Sequence, residues 1–453
     1  MTPRDFVFFT LAVLVAVVIG YLIVDCLCPR RYPRWLVLAF APLTGLGMCS
    51  LIVFFFRRPM TTVDALLLIA LLIFWYRSRR PSLAGYRDVS SWSVPIFAVV
   101  FAVVLGWSVA SSVIHVERYP NGLTDGWAIW NSHAKYLAAG GKTWAVDIQN
   151  TFHPDYPLLL PGSVVHAWRY IGNNSPEASG FLGILFDLAS IGVLLATLTR
   201  LRSPAIGLLM AFILLGTPAY TNNAATEYAD VPLAAFIVSA IALLCLYESD
   251  ESRPLGIIAL AGFMAGCAAW TKNEGTPFVI ATVAVLLVPI FWSASATVRR
   301  IAGFAAGFAL PLAAIVYFKL TIAPPNDIFS NRTSADLLAK ISDSSRYLMI
   351  LKSYRQTGWT FGDWVFNPIL PLLAFIGLSG VDTSVWRSYC WRAGVVIVVL
   401  LQLVYFAIYV ITPLGLTYHL NSSLDRLMMH VWPSCLLLAG MMARKNVSAG
   451  KTS

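Results

Sequence analysis

The sequence predicts an all-α fold, a polytopic bundle of transmembrane helices with interfacial helices in its outer loops. Three observations predict it. Of the 453 residues, 58% are hydrophobic and only 12% are charged, whereas soluble chains carry about 25% charged residues. Apolar runs long enough to cross a hydrocarbon core, roughly 20 residues each, recur along the whole chain. Lipid offers the backbone no hydrogen-bonding partner, so spanning segments must bond internally as helices.

The expected spans are 6–28, 35–56, 62–76, 93–115, 181–199, 204–221, 230–247, 255–271, 276–293, 301–321, 365–380, 393–412 and 430–443. That is about thirteen helices, with ends good to a few residues. The first has little basic flank and no small-residue cleavage site, so it reads as a retained helix and not a signal peptide. The chain then divides into three N-terminal spans (1–92), a core of spans (93–321), an outer segment (322–364) and C-terminal spans with a tail (365–453). The core includes a first long outer segment, 116–180. No internal repeat, low-complexity tract or soluble domain is visible. None of the seven cysteines falls in the long outer segments, so no disulfide framework is implied. Cys26 and Cys28 are too few for a metal site.

Thirteen spans put the termini on opposite sides. Basic residues cluster in one set of short loops: Arg30, Arg31 and Arg34; Arg77, Arg79, Arg80 and Arg87; Arg200 and Arg202; Arg299 and Arg300; Arg387 and Arg392; and Arg444, Lys445 and Lys451 in the tail. The positive-inside rule makes these loops cytoplasmic. One loop disagrees, with Glu248, Asp250 and Glu251 against Arg253. The cytoplasmic set holds 17 Lys/Arg against 6 Asp/Glu, and the outer set holds 15 of each. The net charge of +10 is therefore a topology signal, and no nucleic-acid partner is expected. The expected location is the plasma (inner) membrane, multi-pass, with the N-terminus outside and the C-terminus cytoplasmic.

In the first outer segment, Asn121-Gly122 signals a turn, and Thr124 or Asp125 can cap a helix beginning near Gly126. That helix carries Trp127, Ile129, Trp130 and Tyr136 and ends at Gly140-Gly141, an amphipathic pattern suited to the membrane interface. A second interfacial stretch is expected over about 156–171. The two would roof a cavity at the outer leaflet.

Ionisable groups gather at the outer ends of spans, where burial costs and function overlap. Asp125 follows the fourth span, Glu227 and Asp230 open the seventh, Lys272 and Glu274 close the eighth, and Asp425 and Arg426 precede the last. The second outer segment adds Arg332, Arg346 and Arg355. A carboxylate at bilayer level can take the proton of an attacking hydroxyl. A polyprenyl-phosphate leaving group develops negative charge and needs Arg or Lys nearby. One base without a covalent nucleophile suits single displacement with inversion.

These segments resemble the C-type (GT-C) membrane glycosyltransferases, especially bacterial relatives of protein O-mannosyltransferases and aminoarabinose transferases. The resemblance rests on TDGWAIWNSHAKYL, HPDYPLLLP, EYADVPLA, WTKNEG and SLDRLMMHVWP and covers roughly residues 93–443. It implies transfer of a sugar from a polyprenyl-phosphate donor to a glycan, lipid or protein acceptor, with the active site extracytoplasmic and membrane lipid as a further partner. It makes Asp125 the catalytic base and Glu227 with Asp230 the second acidic site. Trp127, Trp130, Lys135, His153, Tyr156 and Glu274 join those two acids as substrate-binding residues, and Lys272, Arg426 and Arg355 as phosphate-binding ones. No cofactor is expected, because only two carboxylates are evident for a shared divalent metal. The chain departs from the family in having three spans before the presumed core.

Plainer roles stand beside these. Asp125 can simply cap its helix, and Glu227 with Asp230 can charge the first turn of the seventh span. Lys272 and Glu274 can form an interfacial ion pair, and Arg426 can snorkel. His153 and Asp155, flanked by Pro154 and Pro157, suit a turn; His419 and His430 suit structural roles. Asp187, inside a span, calls for a partner or a wet cavity. Asn331-Arg332-Thr333 is a glycosylation sequon by pattern alone. The competing functions are a transporter or flippase for lipid-linked sugars and a polysaccharide ligase. A transporter should show repeated halves, broken spans and ionisable groups at mid-membrane, whereas here the charges gather at one face.

Overall fold

The computed structural model describes residues 1–56, 60–78, 93–141, 143–291, 293–326, 333–364, 367 and 369–444. It is 84% helical. No strand occurs among the described residues beyond an isolated bridge between Val381 and Ala443. Arg79, Arg80, Arg87, Asn331, Arg332, Lys445 and Lys451 lie outside them.

Helix α1 (Pro3–Leu27) starts from a capping box, in which Thr2 accepts from the Asp5 amide and Asp5 from the Thr2 amide. Next come α2 (Arg34–Phe56), α3 (Met60–Ser78) and α4 (Ser93–Arg118). The first outer segment folds as a π-helical turn, Gly126–Trp130, that runs into α5 (Asn131–Ala139), then α6 (Trp144–Asp147) and α7 (Leu159–Ile171). The central stretch comprises α8 (Glu177–Leu201), α9 (Pro204–Leu215), α10 (Pro218–Ala225), α11 (Asp230–Ser249), α12 (Leu255–Thr271), α13 (Gly275–Leu287) and α14 (Ala294–Thr321). The second outer segment holds α15 (Ser334–Ser342) and α16 (Ser344–Thr360), and the chain closes with α17 (Ile369–Ser379), α18 (Tyr389–Ile411), α19 (Leu416–Met429) and α20 (Trp432–Met442).

Each expected span overlaps a helix, 204–221 overlaps two, and residues 292, 365, 366 and 368 of the expected spans lie outside the described ones. Seven of these spans, α1, α2, α4, α8, α11, α14 and α18, are long and apolar enough to cross a membrane. The others are shorter apolar stretches of 10–17 residues or, for 204–221, a bent pair. That region, expected as one continuous span, is broken: α9 and α10 meet at 65°. Pro218 has no N–H to continue a helix, and Thr217 before it is extended.

The expected interfacial stretch 156–171 is also corrected. Helix α7 is buried along nearly all its length and packs against α1, α2 and α5. A side chain at Gly162 would strike Ser50 of α2, its Cβ falling 2.4 Å from Ser50 Oγ. The aromatic pattern of α7 therefore faces protein. The preceding stretch keeps the expected amphipathic form, with Trp127 and Tyr136 exposed and Ile129 and Trp130 buried.

Helix α11 is the axis of the bundle. Every residue from Asp230 to Tyr247 is buried, packed by α8, α12, α18 and α20. At its far end the acidic loop that disagreed with the charge rule meets basic partners. Asp250 pairs with Arg31, and Glu248 lies 3.3 Å from both Arg253 and Arg300. Arg202 reaches Asp382 at 2.9 Å. These pairs tie the loops at one end of the bundle together, at the opposite end of α11 from Asp230.

Helices α1 and α2 cross with their backbones in contact. A Cβ on Gly45 would sit 1.8 Å from Ala16 O, and one on Gly20 would sit 2.0 Å from Ala41 O. Small residues permit such close crossings between membrane helices. Gly45→Leu should force the pair apart at a cost of about 1–3 kcal/mol. The expected outcome is a lowered melting temperature of the detergent-solubilised protein, with Leu46→Met nearly neutral as the control.

Candidate active site

Asp230 opens α11, and its side chain is only 1% exposed. Burying a carboxylate there requires partners, and three residues from two distant segments supply them. Lys272, just past α12, donates to Asp230 Oδ1 at 2.9 Å. His430, between α19 and α20, lies 2.7 Å from the same oxygen through Nε2. Its Nδ1 is 3.1 Å from the Tyr405 hydroxyl. That pattern is met when Nε2–H donates to Asp230 and Tyr405 donates to Nδ1. Arg426 of α19 approaches Asp230 Oδ2 at 3.6 Å.

The same Arg426 nitrogen donates to Asp125 Oδ2 at 2.5 Å. Asp125 makes no side-chain cap to the helix it precedes, so the plain capping role is not what holds it. Its side chain is 29% exposed and that of Arg426 is 24% exposed, against 7% for Lys272. The cluster thus has a buried floor, Asp230–Lys272–His430, and an accessible rim, Asp125–Arg426. The guanidinium carbon sits 5.2 Å from the centre of the Tyr228 ring, a cation–π contact that orients the fork.

Glu274 completes the charged set at 3.1 Å from Lys272. Burial alone would push its carboxyl up, but Lys272 holds it below the ordinary value. Burial likewise disfavours the Lys272 ammonium, and Asp230 and Glu274 more than compensate, raising its pKa. For Arg426 the desolvation is outweighed by Asp230 and Asp125, so the guanidinium stays charged.

An aromatic stack stands beside these charges. Trp130 lies parallel to Tyr156 at 5.5 Å, and Tyr156 to His153 at 4.7 Å. Burial first, and then the charge of Glu274, drive the Tyr156 pKa well up. Asp155 is spent on architecture: it accepts from Asn273 at 2.6 Å and Asn326 at 2.7 Å. Lys319 bonds both the Asp155 carbonyl, at 2.5 Å, and Asn273 Oδ1, at 2.7 Å. This network pins the loop that carries Tyr156 to the turn that carries Lys272 and Glu274.

The structure therefore brings Asp125, Asp230, Lys272, Glu274 and Arg426 together. It turns Glu227 elsewhere. With a left-handed backbone (φ 69°), Glu227 points beneath the Asp125 loop, where it accepts from Asn131 at 2.5 Å. Gly122 and Gly126 lie directly against it, since a Cβ on Gly122 would fall 2.9 Å from Glu227 Cγ. Burial pushes its carboxyl up to about 8. Trp127, Lys135 and Arg355 are exposed, and among the described residues no ion pair joins them to the cluster. Arg346 instead donates to the last carbonyls of α18, Val410 and Tyr409, at 2.9 and 3.1 Å. Asp425 next to Arg426 is raised to about 6 by burial and the charge of Asp363. His419 bonds Thr412 at 2.8 Å. Asp187 is buried in α8 with one oxygen unpartnered. The sequence reading did not count Tyr228 and His430 as members of the site, though both lie inside segments it quotes, EYADVPLA and SLDRLMMHVWP, and His430 was given a structural role.

No family model matches the chain, no curated protein matches it, and no solved structure matches it.

Two stability predictions follow from burial. Asp230→Ala leaves the Lys272 ammonium underpaired in the interior and should cost about 3–5 kcal/mol. Asp125→Asn, at the accessible rim, should cost about 0–1 kcal/mol. Thermal melting in detergent compares the two directly. Glu227, whose folded value of about 8 lies above its ordinary 4.5, holds a proton that the unfolded chain releases. Its contribution therefore falls as pH rises from about 4.5 to about 8. Glu227→Gln keeps an acceptor for Asn131 and carries no charge, so the melting temperature of this variant should drop less than the parent's between pH 6 and pH 8.

Proposed function

We propose that this chain is an extracytoplasmic membrane glycosyltransferase of the C-type kind. It transfers a sugar from a polyprenyl-phosphate-linked donor to a glycan, lipid or protein acceptor. The observation that carries the reading is the Asp125–Arg426–Asp230–Lys272 line: a reachable carboxylate at the rim, one cation against it and a second beneath, drawn from segments up to 301 positions apart. All thirteen apolar helices cross the plasma (inner) membrane on this reading, with the N-terminus outside, the C-terminus cytoplasmic and the cluster on the outer side.

In the reaction, an acceptor hydroxyl attacks the anomeric carbon from the face opposite the phosphate. Its O–C bond forms as the bond from the anomeric carbon to the phosphate oxygen breaks, which inverts the configuration. Asp125 takes the hydroxyl proton. The polyprenyl phosphate leaves with its charge against Arg426 and Lys272. Asp230 and His430 do not touch substrate. They hold Lys272 and Arg426 in place, so that little reorganisation is needed as charge develops. The Trp130–Tyr156–His153 stack ends in the exposed His153 ring, a flat face against which a sugar ring can lie.

The transporter reading retains one supporting observation, the break between α9 and α10, since broken spans recur in transporters. At this break, however, Thr217 accepts from the Trp432 indole at 3.1 Å.

The test is transfer from a panel of polyprenyl-phosphate sugars by the purified protein in lipid nanodiscs. Asp125→Asn should lower kcat by about 10²–10⁴ with folding unchanged. A variant that turns over at the parent rate removes Asp125 as the base. Arg426→Ala should raise the donor KM, and unchanged donor kinetics would count against its phosphate role. Movement of intact donor across a proteoliposome membrane, with no glycosidic product, would favour the transporter.

A further inference from the structure

Apart from this site, one buried cluster among the described residues carries the donor set of a metal centre. Helices α2, α3 and α7 bring Cys49 Sγ, a carboxylate oxygen of Asp64 and a ring nitrogen of His166 within 4.8 Å of one another. All three residues are buried. Asp64 Oδ2 accepts from the Tyr170 hydroxyl at 2.8 Å and lies 3.0 Å from His166 Nε2. Asp64 Oδ1 is buried with no hydrogen-bond partner, which leaves the desolvation of that oxygen uncompensated.

The placement of Asp64 sharpens the point. Among the described residues of α3 it is the only buried one. Val63, Leu67, Leu68 and Leu71 of the same helix pack against the core only partly buried, and the one buried position among the described residues of α3 holds a carboxylate. Hydrophobic packing would have favoured a leucine there.

We propose that Cys49, Asp64 and His166 bind one divalent metal ion, zinc by the chemistry of the set. Thiolate, imidazole and carboxylate together are zinc ligands, and the thiolate argues against magnesium or calcium. Zinc–ligand bonds of about 2.0–2.3 Å in a tetrahedron put ligand atoms about 3.3–3.8 Å apart, so the three arms need close by only about an ångström. One thiolate and one carboxylate cancel the charge of the ion, and a neutral centre is what a low-dielectric surrounding tolerates. The fourth position falls to water or to the Tyr170 hydroxyl. Binding releases the thiol proton, and the imidazole gives up its contact with Asp64 to coordinate through its lone pair.

The ion would fasten α3 to the bundle. It would also stiffen the candidate active site from behind. Ser50, next to Cys49, donates to the Leu158 carbonyl at 3.2 Å and accepts from the Trp270 indole at 3.3 Å. Trp270 lies two residues before Lys272. The proposal does not depend on the transferase reading, because its readout is the metal itself.

Metal content of the full-length protein, purified without a metal-affinity tag, is the direct test. Mass spectrometry should find about one zinc per chain. Cys49→Ser and His166→Gln should each lose most of it, and Cys435→Ser, which alters a thiol of α20, should keep it. Apoprotein reloaded with cobalt(II) should show a thiolate-to-metal charge-transfer band that Cys49→Ser lacks. Gel filtration and melting curves establish that each variant is folded. Should Cys49→Ser not fold, the cobalt spectrum of the parent and of Cys435→Ser decides. Zinc at parent level in both ligand variants overturns the site, as does a parent chain that holds no zinc and shows no cobalt–thiolate band.

Discussion

The end of the bundle that holds the candidate active site is organised by one constraint: the carboxylate of Asp230 is buried at the first residue of the central helix. A charge in that position must be matched by cations and hydrogen bonds, and no single neighbouring element provides them. Lys272 comes from the end of α12 and His430 from the link between α19 and α20. Convergence of distant segments here is first a demand of electrostatics. Lys272 and His430 already meet that demand on Asp230 Oδ1. Arg426 adds the contact to Asp230 Oδ2 and carries it on to Asp125, and both of these side chains are partly exposed. A carboxylate and a cation that solvent reaches are the better candidates for chemistry.

The helices were legible because membrane-length apolar runs have few other fates. What hydropathy could not see was geometry within an apolar run. The tripeptide Gly216-Thr217-Pro218 is a recognisable breaker, but apolar residues continue on both sides and a window average passes over it. Helix α7 misled for a different reason. A stripe of Trp168, Tyr170 and aliphatic residues reads the same whether it faces lipid headgroups or other helices. Burial along the helix and the tight seat of Gly162 on Ser50 decide between them.

In the site, the sequence signal was an ionisable group at the edge of an apolar run, and it found Asp125, Asp230, Lys272, Glu274 and Arg426. The same signal failed where one backbone angle decided the outcome. Glu227 is three residues from Asp230, yet its left-handed φ sends the side chain to Asn131. Lys135 and Arg355 were chosen for lying in the right segments, and segment membership says nothing of which way a side chain points. His430 looked like an ordinary buried histidine in the sequence, and so it is, except that the group it satisfies is Asp230. Cys49, Asp64 and His166 are single polar residues in three distant apolar stretches, and no spacing rule relates them. Asp64 alone stood out in principle, as a carboxylate inside an expected span.

The two contacts of Arg426 connect floor to rim. One nitrogen, Nη1, serves Asp125 at 2.5 Å and Asp230 at 3.6 Å, and the Tyr228 ring limits how far the fork can swing. The Asp125 oxygen that this nitrogen occupies cannot also face an incoming hydroxyl. On the proposed reaction, a donor phosphate reaching Arg426 offers it a second anion and draws the guanidinium away from Asp125. Asp230 is too deeply buried to follow and keeps the arginine from leaving the site. Donor binding would then uncover the base, and an acceptor arriving without donor would meet a carboxylate already engaged. That order of events needs no moving domain, only one arginine with two carboxylate partners at unequal distances.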